Sequence, residues 1–86
     1  MTAKEITVNK KFITYNFQEI QEEVELVLRQ MKVGASQEDF YRSVQHIYHH
    51  LNIAWNARNE GQDTVFDLDD PRMDSWKEFP ADLKLI

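Results

Sequence analysis

The sequence predicts an all-α fold, mainly an antiparallel two-helix hairpin, and three observations carry that prediction. Apolar residues recur every three or four positions through Phe17, Ile20, Val24, Val27 and Met31. A second amphipathic run covers Phe40 to Trp55. Only Gly34-Ala35-Ser36 separates the two, and so short a connection makes consecutive helices antiparallel neighbours.

Residues 1–15 come first. Glu5-Ile6-Thr7-Val8 and Phe12-Ile13-Thr14-Tyr15 are rich in β-branched and aromatic residues, with Asn9-Lys10-Lys11 between them. They read either as a short β-hairpin or as an extended arm; a two-strand hairpin alone is marginal in water. Asn16-Phe17-Gln18-Glu19 then reads as an N-cap with a glutamate three residues on. The first helix is expected over residues 17–33, acidic early and basic late, as the helix dipole favours. Gly34 suits the stop because it can take the left-handed C′ conformation.

Ser36 is the expected N-cap of a second helix over residues 37–60, with Gly61 as its stop. On a helical projection its main apolar face holds Phe40, Tyr41, Val44, Ile47, Tyr48, Leu51 and Trp55. Ile53 and Ala57 fall near the opposite side and suggest a second contact surface, to be covered by the tail or another chain. The second helix would exceed the first by about 10 Å at 1.5 Å per residue, leaving an overhang near Ala54–Glu60. In residues 62–86, Asp70-Pro71 opens one helical turn reaching Trp76, and Phe79-Pro80-Ala81-Asp82-Leu83 is a similar restart. The segment is too rich in apolar residues for a solvating tail and is expected to lie across the hairpin.

Composition bounds the function. The chain has 86 residues, 23 of them Leu, Ile, Val or Phe, enough for one small domain with a core. With no cysteine, disulfides, thiol catalysis and thiolate metal sites are excluded. No run approaches the roughly 18–20 apolar residues of a membrane helix, and no signal-peptide core follows Met1, so a cytoplasmic protein is expected. The net charge is −5, and residues 62–86 hold seven acids against Arg72, Lys77 and Lys84. Such a segment repels phosphate backbones, which disfavours direct nucleic-acid binding and favours a partner with a basic surface. Two helices and a tail bury little area, so a homodimer forming a four-helix bundle is expected.

His46 and His50 are four apart on one helix, the spacing of paired metal ligands. The metalloprotease motif needs Glu after the first His and finds Ile47, so a third ligand would come from a tail Asp or a symmetry-related chain. Histidines titrating at a surface or interface are the preferred reading, and no metal or cofactor is assigned. Asp67-Leu68-Asp69-Asp70 lacks the glycine and ligand spacing of a calcium loop and reads as a solvated acidic turn. No nucleophile, phosphate loop or convergent acid–base pair stands out, so no enzyme is expected. Tyr48, Trp55, Arg58, Phe66, Trp76 and Phe79 are the candidate partner-binding residues, since Tyr, Trp and Arg concentrate at binding hot spots. The leading expectation is a non-enzymatic protein-interaction module, an accessory or regulatory subunit. Its rivals are an acidic mimic that blocks a basic site on an enzyme, and a metal-binding dimer using His46 and His50.

Overall fold

The computed structural model describes residues 8–86. Helix α1 spans Lys10–Val33, α2 spans Gln37–Asn56, and a single turn, α3, spans Met73–Trp76. The two long helices pack against each other as a hairpin.

The connection is built as expected. The Ser36 hydroxyl accepts from the Asp39 N–H at 3.0 Å, with Glu38 and Asp39 in the first turn of α2. Gly34 ends α1 as expected but not in the left-handed C′ conformation: it sits at φ 102° and ψ 140°, a positive φ with an extended ψ that leads the chain straight to Ser36. The Gly34 N–H closes the last turn on the Gln30 carbonyl at 2.7 Å.

The ends opposite the connection depart from expectation. Phe12–Tyr15 is helical, so it is neither the second strand of a hairpin nor part of an extended arm, the two alternatives the sequence left open; residues 5–7 of the first run lie outside the described residues. Asn16 is no N-cap: it is buried in mid-helix, and its Nδ2 donates back to the Phe12 carbonyl at 2.8 Å. The extra turns form because Phe12 finds a buried partner, and tertiary packing overrides β propensity. α2 stops at Asn56, and turns continue to Glu60. Gly61 keeps an ordinary φ and is not the stop. Polar side chains hold the stop instead. Asn9 donates from its backbone N–H to the Arg58 carbonyl at 3.0 Å, and from Nδ2 to the Ala57 carbonyl at 3.3 Å. Gln62 spans the start of α1, donating to the Val8 carbonyl at 2.5 Å and accepting from the Lys10 N–H at 3.4 Å. With 24 residues against 20, α1 is the longer helix, and the expected overhang of α2 disappears.

The apolar core lies at this end. Phe12, Ile53, Ala57, Met73 and Trp76 form it, with Phe66 packed alongside. Ile53 is 0 % and Trp76 4 % exposed. Ile53 and Ala57, off the main apolar face of α2, do form a second packing surface, and of the two expected covers, the tail or another chain, it is the tail that meets them. Asn52 Nδ2 donates to the Lys77 carbonyl at 3.0 Å, and Asn56 Nδ2 to the carbonyls of Trp76 and Glu78 at 2.8 and 2.7 Å. Asp70 opens the turn into α3, its Oδ1 accepting from the Arg72 N–H at 2.9 Å. The second restart, Phe79–Leu83, forms bends and no helix.

Candidate functional site

Past α3 the tail turns over the edge of α2 and builds one wall of an apolar groove of about 580 Å³. Ile13 and Phe17 of α1 form its floor with Tyr48, Leu51 and Trp55 of α2; Phe79, Leu83 and Leu85 close it. Tyr48 and Phe79 meet edge to face at 5.3 Å between ring centroids. The Arg58 guanidinium lies 3.7 Å over the Trp55 ring, a cation–π contact. Asp82 fastens this wall, accepting from the Trp55 indole N–H at 2.9 Å and pairing with Arg58 at 3.4 Å. The Trp55 hydrogen bond and the Arg58 charge hold the Asp82 carboxyl below its usual range.

The structure thus gathers Tyr48, Trp55, Arg58 and Phe79 around one groove and separates the other two candidates from it. Trp76 is a core residue, edge to face with Phe12 at 5.6 Å. Phe66 is half-buried against Phe12, Tyr15 and His50. Both presented the same signal as Phe79, an aromatic in an acidic tail, and only packing distinguishes them.

The groove is one end of a longer apolar face. From Phe17 the helical repeat continues along α1 through Val24, Leu28 and Met31, and from Leu51 back along α2 through Val44 to Phe40. Phe17, Val24, Leu28, Met31 and Phe40 are all exposed, Leu28 at 59 %. Of the regular apolar stripe of α1, Ile20 and Val27 are therefore half-buried while Phe17, Val24 and Met31 stay outside the contact between the two helices.

Beyond the apolar core, polar residues meet between the helices along the middle of the hairpin. Asn16 and Glu23 of α1 face Ser43, His46 and His50 of α2. His46 Nδ1 lies 2.6 Å from Glu23 Oε1, and His50 Nδ1 lies 2.7 Å from Asn16 Oδ1. The two Nε2 atoms face each other at 3.1 Å, with Glu19 Oε1 3.9 Å from that of His50. Burial, followed by the neighbouring His49 and His46, pushes the His50 imidazole down to about 4. Burial alone would raise the Glu23 carboxyl, but hydrogen bonds from Ser43 and His46 and the His46 charge hold it below its usual range. The third group beside the histidine pair thus comes from α1 of the same chain, where the sequence pointed to a tail Asp or a second chain. The Asn16–Glu19–Glu23 spacing on α1 was the signal for it, hidden because those residues read as a cap and a solvated face.

Asp67–Asp70 folds as turns, with Asp67 and Asp69 exposed and the half-buried Asp70 paired to Arg72 at 2.8 Å. No helix of the described residues is long and apolar enough to cross a membrane. Comparison of the chain with models of protein families, with curated proteins and with solved structures returned no match.

Proposed function

We propose that this chain is a non-enzymatic protein-interaction module whose contact surface is the apolar face shared by α1 and α2, and that its first partner is a second copy. The observation that carries the reading is the exposure of Phe17, Val24, Leu28, Met31 and Phe40 along one face of a folded hairpin. Contiguous apolar surface of this kind marks interaction sites. The three-and-four spacing on both helices suits a helical partner, since knobs and holes then repeat at the same interval. Two hairpins joined in this way make a four-helix bundle. The aromatic groove at the tail end continues the same face and is the natural extension of the contact onto a larger protein.

A charge-driven contact with a basic site has less support. Asp70 and Glu60 are paired with Arg72, and Asp82 with Arg58, so part of the tail's negative charge is already engaged.

The test is mass in solution by light scattering over a dilution series, for the wild type and for Leu28→Glu. The wild type should hold near twice 10.3 kDa, at high salt as well as low, because apolar contacts are not screened. Leu28→Glu should run as a folded monomer. A wild type that is monomeric at every concentration, or a dimer indifferent to Leu28→Glu, overturns the reading.

A further inference from the structure

We propose that Glu19, His46 and His50 form a binding site for a single divalent transition-metal ion, with Zn²⁺ the best chemical fit, inside the hairpin of one chain. The ligand atoms of these three residues lie within 4.8 Å of one another.

The donor and acceptor assignment along the interior makes the case. Asn16 Nδ2 donates to the Phe12 carbonyl, so Asn16 Oδ1 is the atom that faces His50 and accepts from its Nδ1–H. The Glu23 carboxylate accepts from the Nδ1–H of His46. Each neutral ring therefore has its proton on Nδ1 and its lone pair on Nε2. Those two lone pairs point at each other across 3.1 Å, a repulsive arrangement unless a cation lies between them. Two nitrogens bound tetrahedrally to zinc at about 2.0–2.1 Å would lie roughly 3.3 Å apart, close to the spacing observed.

The surroundings match a metal site beyond its ligands. Metal-binding histidines characteristically donate their other N–H to a carboxylate or a carbonyl oxygen, which fixes the tautomer and aims the free nitrogen. Here Glu23 does this for His46, and the Asn16 amide oxygen does it for His50. A lone shared proton would satisfy the two nitrogens but would give Glu19 no role. The carboxylates of Glu19 and Glu23 together balance a 2+ charge. His50 is buried, whereas the His46 side chain is 42 % exposed and borders an open groove between the helices, giving an ion a route in and a water the fourth position. Such an ion ties α1 to α2 midway along the hairpin, beyond the apolar core. The site does not depend on the interaction reading, since all its ligands belong to one chain and none lies on the exposed apolar face.

The experiment is calorimetric titration of the EDTA-treated, dialysed full-length protein with Zn²⁺, paired with visible spectra on adding Co²⁺. One Zn²⁺ per chain is expected, with ligand-field bands of a four-coordinate Co²⁺ site and a rise in Tm on loading. Glu19→Gln and His46→Gln should abolish one-to-one binding or weaken it at least tenfold. Glu23→Gln, which removes only the support for His46, should weaken it about 10- to 100-fold. His49→Gln, on the same helix, should leave affinity unchanged. These variants avoid the buried His50, whose loss endangers the fold, and far-UV circular dichroism confirms that each is folded. Absence of one-to-one Zn²⁺ binding below about 1 mM overturns the site, as does binding insensitive to His46→Gln and Glu19→Gln, or binding that depends on His49.

Discussion

The two ends of this hairpin are built on different principles. At the end where α1 begins and α2 finishes, the tail folds back and a core closes around Phe12, Ile53, Ala57, Met73 and Trp76. At the end where Gly34–Ser36 joins the helices, none of the described residues covers them. The space between the helices there is occupied by Glu23, Ser43 and His46, while Val24, Leu28, Met31 and Phe40 point outward and are exposed. The difference teaches that one sequence can put its stability and its contact surface in separate places. The tail end buries its apolar residues within the chain, and the turn end leaves its own exposed.

The comparison can be broken most directly at the tail end. Trp76→Ala should cost about 3–5 kcal/mol, the usual penalty for truncating a buried large aromatic, and leave the chain mostly unfolded in urea titrations monitored by circular dichroism. A smaller loss would mean that the tail only rests on the hairpin. The polar interior is tested by pH on the EDTA-treated protein. The His50 ring is held at about 4 in the folded chain against roughly 6.5 unfolded, so the unfolded chain binds the proton more readily. That contribution to stability is complete above about pH 6.5 and is lost as the pH falls toward 4. Urea midpoints between pH 7 and 4 should decline for the wild type and decline less for His50→Gln if that variant folds; parallel curves would show that His50 is not buried in solution. At the turn end, Ser36→Ala removes the N-cap of α2 and should cost about 1 kcal/mol. The smallest effect on the folding of a single chain belongs to Leu28→Glu, within about 0.5 kcal/mol as for other surface changes, although the same substitution should have the largest effect on mass in solution.

How much was legible depended on how local the cause was. Ser36 capping Asp39, the end of α1 at Gly34 and a helical turn ending at Trp76 all follow from neighbouring residues and are legible in the sequence. Gly34, however, is not left-handed helical, and α3 begins at Met73, two residues after the expected Asp70-Pro71 start, with no side-chain cap. The start of α1 was misplaced by seven residues because Asn16-Phe17-Gln18-Glu19 has the composition of a cap. Nothing local shows that Asn16 is needed inside, between the Phe12 carbonyl and a histidine 34 positions away. Of the candidate contact residues, four line the groove, whereas Trp76 and Phe66 pack inward. Aromatic character marks both roles equally, and the choice between them is made by what the tail meets when it folds back.

The sequence by itself determined two helices, the three-residue connection that makes them antiparallel, and the i, i+4 spacing of His46 and His50, since each is a consequence of dihedral preference, capping or helical periodicity. Only the tertiary structure decided which helix faces are buried. A helix of this kind has more than one face that can pack, and the regular apolar stripes of α1 and α2 lost part of the inner position to Asn16, Glu23, Ser43, His46 and His50 on one side and to the tail on the other. Burial goes to the face for which the rest of the chain supplies a partner, and that partner, Met73 and Trp76 against Phe12, lies some sixty residues away.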